Sequence, residues 1–338
     1  MPFSARAARR SAFGVRQPLL LLLLLGAGLA LLGCSKHAPP GEGVARAETR
    51  NVDAAPPASA KPPPNQLPQA EVTWVYVETP IGPMNAVVVV PARNADERFP
   101  ILLTFHGMGE ARKGPEKGAR GWLDDYGMLR ALERLAHPPL TPADLEGFVD
   151  PVRLAKLNAA LARDPYQGLI IVNSYTPDML RGDEPFSKIG PLAKFAVEEL
   201  LPRARRETPA IGTPQTTGID GISLGGRASL SIGLRNPEAF GSVGALQPAF
   251  DLDNAGAVAE RALLARHNNP SLSFRLLTSD GDYFLASTRA ISTAMRQAGV
   301  PHELVVIPGP HDYPFNRGPA VYEMLIHHDR VLHGLPPI

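Results

Sequence analysis

Cysteine is almost absent. Cys34 is the only one in 338 residues, so no intramolecular disulfide can form. Lys+Arg 34 against Asp+Glu 33 leaves a net charge of +1, and no lysine or arginine block is interleaved with aromatics. The electrostatic footprint of a nucleic-acid-binding protein is therefore missing. The histidines show no H-E-x-x-H or comparable ligand spacing, which leaves no metal site and no cofactor to assign. Internal repeats are missing too. What the chain has in quantity is apolar residues, at 44%, enough for a sizeable core in a single catalytic domain.

The N-terminus stands apart. Arg6, Arg9, Arg10 and Arg16 precede an apolar run over 19–34, which has the charged and hydrophobic regions of a secretory signal and is marginal as a membrane span. Arg9-Arg10 fits a twin-arginine signal poorly. The run ends in Leu31-Leu32-Gly33-Cys34, which resembles the lipobox of bacterial lipoproteins. That resemblance implies cleavage after residue 33, lipidation of Cys34 and, with Ser35 following, the outer membrane of a Gram-negative cell. A plain signal peptide or an uncleaved anchor is the alternative reading. Removing 1–33 takes away four arginines and no acid, leaving a mildly acidic mature chain. Residues 34–70 are rich in Pro and Ala without apolar periodicity, and read as a semi-extended linker that would tether a domain over 71–338.

From Val72 onward apolar runs of strand length alternate with longer amphipathic stretches. VTWVYVE and AVVVVPA flank Pro80-Ile81-Gly82-Pro83, an opening hairpin. FPILLTFHG, GLIIVNS, TTGIDGIS, SVGALQ, SFRLLTS and HELVVIP supply six further strands. Helical periodicity marks 192–206, 224–235, 257–267, 285–298 and 320–332. Near-continuous apolar strands separated by helices predict an α/β fold, with a mostly parallel sheet of about eight strands covered on both faces. A long excursion over 107–168, with helices expected over 126–136 and 151–162, would form a lid or a substrate wall. Arg112, Lys113, Lys117 and Arg120 within it suit either an anionic substrate or a solvated charged loop.

Gly221-Ile222-Ser223-Leu224-Gly225 matches G-x-S-x-G, in which a serine occupies a strained strand-to-helix turn and the glycines let neighbouring backbone approach. Context agrees, because a buried strand precedes it and a helix follows, ending before Asn236-Pro237. A serine hydroxyl needs a base, and the base needs an orienting acid. His311, in a loop just after a strand, is the candidate base; His302, His327, His328 and His333 sit at a strand start or on the final helix. In LLTSDGDYFLAS, Asp282 is the candidate acid and Asp280 its alternative, with Asp251 and Asp253 further candidates. Any of these could instead cap a helix. The N–H of Leu224 would supply one oxyanion donor. The loop His106-Gly107-Met108-Gly109 would supply another, from Met108 or Gly107, with His106 holding the loop.

His106-Gly107 after the third strand, GISLGGRASLSIGLRNPEAFGSVGAL, the Asp282 helix entry and PGPHDY around His311 together resemble bacterial α/β-hydrolase esterases. The group is that of esterase D, feruloyl and siderophore esterases and the antigen 85-like mycolyltransferases. Pro310 stands where many relatives carry a second glycine, and the 107–168 excursion is not standard in them. The resemblance implies hydrolysis of an ester or thioester by a Ser-His-Asp triad through an acyl-enzyme. Acyl transfer, peptide cleavage and a non-catalytic surface lipoprotein on the same fold are the alternatives. It implies a small-molecule or envelope ester as partner, and an envelope location anchored through Cys34.

Overall fold

A computed structural model describes residues 68–180 and 186–338, all within one compact unit that spans Ala60–Ile338. The signal-like stretch 1–33, Cys34 and the linker as far as residue 67 lie outside the described residues. The eight strands are β1 (Pro68–Tyr76), β2 (Met84–Pro91), β3 (Ile101–Phe105), β4 (Ile170–Ser174), β5 (Thr217–Gly221), β6 (Ser242–Leu246), β7 (Ser273–Gly281) and β8 (Glu303–Pro310). Because β1 starts at Pro68, residues 68–70, expected at the end of the linker, already belong to the sheet.

The sheet order is β1-β2-β4-β3-β5-β6-β7-β8. β2 runs antiparallel to both β1 and β4, and every other pair is parallel. Buried along their whole length, β3 and β4 open on apolar residues, ILL and IIV, and turn polar near their ends, at Thr104 and at Asn173-Ser174. The polar pair inside them is satisfied in register: Thr104 Oγ1 donates to Asn173 Oδ1 at 2.7 Å, and Asn173 Nδ2 donates to the Val87 carbonyl at 3.1 Å.

Alternation along β5 shows how the two faces are covered. Asp220 accepts a hydrogen bond from His328 Nε2 at 2.9 Å on one side, where helix Val321–Leu332 packs. Gly221 meets helix Leu224–Arg235 on the other. The helix expected over 192–206 runs from Ile189 to Glu207 but widens to a π turn at Phe195–Leu200. Pro202, which lacks an N–H and crowds the carbonyl four residues back, accounts for the bulge.

The excursion after β3 holds three short helical turns that periodicity did not reveal, Met108–Ala111, Gly114–Gly118 and Gly121–Asp124. Their glycines and Pro115 give them low intrinsic helix propensity. The two helices expected there run over Met128–Ala136 and Pro151–Arg163. The second ties to the final helix, where Arg153 grips Glu323 through two hydrogen bonds of 2.7 and 2.6 Å. Among the described residues no helix is long and apolar enough to cross a membrane, and no cluster of side chains could hold a metal ion.

Candidate active site

Ser223 stands between β5 and helix Leu224–Arg235 with φ 58° and ψ −114°, a conformation that costs a non-glycine residue about 1–3 kcal/mol. Backbone bonds on both sides hold it there. Ser223 N donates to the Leu246 carbonyl at 2.9 Å, and the Ser223 carbonyl accepts from Arg227 N and Ala249 N at 3.0 and 3.1 Å. The flanking glycines allow the chain to crowd in. A Cβ on Gly221 would lie 2.5 Å from the Gly225 carbonyl oxygen, and one on Gly225 would lie 2.2 Å from that of Phe105.

The loop after β8 brings His311 to this turn, with its Nε2 3.0 Å from Ser223 Oγ. Its Nδ1 lies 2.7 Å from Asp282 Oδ1, so the carboxylate fixes the tautomer: Nδ1 carries the proton and Nε2 faces the serine. The Asp282 side chain is buried and held in turn. Thr278 Oγ1 donates to its Oδ2 at 2.6 Å and the Phe284 N–H to its Oδ1 at 3.0 Å. Tyr283 stacks on the imidazole with ring centroids 4.6 Å apart, and its hydroxyl donates to the His311 carbonyl at 2.8 Å.

Asp280 goes elsewhere. β7 extends through Gly281, so Asp280 lies within the strand, and its Oδ1 accepts the Gly309 N–H at 2.9 Å. Asp251 caps the turn Leu252–Asn254 and pairs with Arg227 at 3.6 Å. The remaining candidate histidines are committed away from the cleft or packed beneath the sheet: His302 to Ser292, His328 to Asp220, His333 to the Gly168 carbonyl, and His327 in the buried cluster around Arg275 and Glu303. Lys113 and Arg120 are paired with Asp125 and Asp124, the arrangement of a charged loop surface.

Met108 and Leu224 each begin a helical segment, so neither N–H has an acceptor within its own helix. Gly107 N–H, the alternative donor, is taken by Tyr126 Oη at 3.1 Å. His106 holds this loop from below. Thr176 N–H donates to its Nε2 at 2.9 Å, which leaves Nδ1–H to donate to the Gly107 carbonyl at 3.0 Å. Complete burial pulls the His106 pKa down to about 4, so the ring stays neutral.

Ser223 and His311 open into a cleft of roughly 350 Å³, whose walls include Met108, Glu110, Tyr126, Tyr283 and Tyr313. Thus the first part of the excursion walls the cleft, while its later helix packs against the end of the chain. Glu110, Tyr126, Tyr283 and Tyr313 carried no sequence signal. Glu110 sits in a charged stretch that reads as solvated, and only adjacency to Asp282 and His311 could have pointed to the tyrosines at 283 and 313.

Residues 191–279, which include Ser223, match the esterase family model ("Putative esterase"). No curated protein matches the chain by sequence. Among solved structures, a ferulic acid esterase superposes with a TM-score of 0.58 at 20% identity, over 78% of this chain and 98% of that one. S-formylglutathione hydrolase from Staphylococcus aureus gives 0.55 at 12% identity, over 77% and 98%. The ferulic acid esterase of Anaeromyces mucronatus gives 0.54 at 16%, over 78% and 91%. The chain therefore has the α/β-hydrolase fold of these esterases, and the family match falls on the segment that carries its strained serine.

Proposed function

We propose that the protein is a serine hydrolase of carboxylic esters or thioesters. One observation carries this reading: an unbroken hydrogen-bonded chain, Ser223 Oγ to His311 to Asp282, that ends in an open cleft. The esterase family match and the hydrolase names of the structural relatives agree with it. A cleft of roughly 350 Å³ suits a compact acyl group.

In the proposed cycle Ser223 Oγ attacks the carbonyl carbon as His311 Nε2 takes its proton, and Asp282 balances the imidazolium. The N–H groups of Leu224 and Met108 receive the oxyanion, with the positive end of helix Leu224–Arg235 behind the first. Collapse breaks the bond to the alkoxide or thiolate, which leaves with the proton from His311, and the acyl group remains on Ser223. Water, deprotonated by the same imidazole, attacks the acyl-enzyme, releases the acid and restores the serine. No step calls on a cofactor.

Ser223→Ala should abolish turnover of p-nitrophenyl acetate and labelling by a fluorophosphonate probe, while the circular dichroism spectrum stays that of the wild type. Undiminished turnover in that variant would overturn the reading. By the same proposal the lipobox-like residues make Cys34 a lipid anchor, so the wild type should take up labelled palmitate in cells and Cys34→Ser should not; equal labelling of the two, or none in the wild type, would remove the anchor.

A further inference from the structure

Glu110 is 1% exposed, lies in the wall of the cleft, and has no part in the cycle above. A carboxylate taken out of water must be compensated, and its partners are specific. Its Oε2 accepts the Tyr126 hydroxyl, and its Oε1 accepts the Tyr313 hydroxyl at 2.8 Å. Lys113, 3.6 Å from Oε1, supplies positive charge. Tyr126 in turn receives the Gly107 N–H at 3.1 Å. Burial, reinforced by Glu110, raises the Tyr126 phenol well above its usual range and pushes Tyr313 up to about 12, so both hydroxyls keep the protons they donate.

The local sequence makes room for this arrangement. A Cβ on Gly121 would lie 2.4 Å from Glu110 Cγ, and one on Gly109 would lie 2.4 Å from the Tyr313 hydroxyl. Through Tyr126 the carboxylate fixes the Gly107 peptide, next in the chain to the Met108 N–H. Through Tyr313 it holds the loop that carries His311 two residues earlier. A single side chain thus spans two loops whose spacing decides whether oxyanion donor and base face the same carbonyl, and misplacement of such groups is costly in rate.

We propose that Glu110 is a positioning residue of the hydrolase site, keeping the Met108 N–H and His311 in register through the hydroxyls of Tyr126 and Tyr313. The inference rests on the hydrolase reading. A carboxylate that only stabilises the fold would alter the melting temperature; a positioning one alters kcat and the binding of a tetrahedral mimic.

The test uses the full chain with Tyr126→Phe, Tyr313→Phe and Glu110→Gln, each close in shape to the original side chain. Kinetics on p-nitrophenyl acetate, inhibition by an aliphatic trifluoromethyl ketone and melting temperature are measured for each. The expected result is a fall in kcat of about 10–100-fold in Tyr126→Phe, with KM within about threefold and ketone affinity falling in step with kcat. Should Glu110→Gln not fold, the two tyrosine variants carry the test. Wild-type kcat and ketone affinity in both tyrosine variants, whatever their melting temperatures, would overturn the inference. If Ser223→Ala is inactive in that case, the hydrolase reading stands and only the role of Glu110 falls; if Ser223→Ala retains turnover, both fall.

Discussion

Asp280 and Asp282 stand two positions apart, and the fold turns one toward the imidazole of His311 and the other toward the backbone of Gly309. Asp282→Asn would hold the ring in the wrong tautomer, so kcat should drop by about 10³–10⁴. Asp280→Asn should stay within about threefold of wild type, with at most about 1 kcal/mol lost from stability. Steady-state kinetics on both variants checks this, and reversal of the two effects would reassign the acid. At this scale the sequence spoke through position. Ser223 was legible from its glycines and the strand and helix around it, and His311 from its loop. Position before a helix already favours Asp282 over Asp280; what local pattern does not contain is the geometry behind that preference, the end of β7 and Thr278 reaching back to Asp282.

Helix Leu224–Arg235 approaches β3 closely enough that Gly225 nearly touches the Phe105 carbonyl. Gly225→Ala cannot relax by a side-chain rotation, since the obstacle is backbone. It should cost more than about 3 kcal/mol, seen as a lower midpoint in urea. A midpoint equal to that of wild type would mean that the helix can lift off the sheet freely. Elements buried on both faces were readable as apolar runs, and all eight strands were expected. The sheet order near its antiparallel end was not, because β4 inserts between β2 and β3 and nothing in local periodicity encodes a neighbour. The short turns after β3 escaped as well, since their glycines have low helix propensity, and Gly109 and Gly121 serve instead to leave space for Tyr313 and Glu110.

Two buried histidines, His106 and His327, and the half-buried His333 have pKa values lowered first of all by desolvation. An unfolded chain takes up protons near pH 6.5 that the native state refuses, so each contributes stability that is present at neutral pH and lost as pH falls. For His106, with a folded value of about 4, the loss between pH 7 and pH 4 amounts to about 3 kcal/mol. Asp329 works in the opposite sense. Burial raises it to about 7, so protonation favours the native state as pH falls from 7 toward the ordinary carboxylate range. The two trends overlap, and a comparison isolates one of them. Relative to its own value at pH 7, wild type should lose about 3 kcal/mol more than His106→Asn on going to pH 4, as measured by urea denaturation. Parallel curves for the two proteins would show that His106 takes up its proton in the native state.

Of the two tryptophans in the chain, Trp122 is fully buried and stands edge-on to Tyr126, with ring centroids 5.1 Å apart. Tyr126 is in turn a wall of the cleft and the acceptor for Gly107. An indole emits according to its surroundings, so any ligand that shifts this tyrosine is reported by a fluorophore one ring away. In a Trp74→Phe background the emission should therefore change when a trifluoromethyl ketone fills the cleft, and an unchanged spectrum at saturation would show that Tyr126 keeps its place.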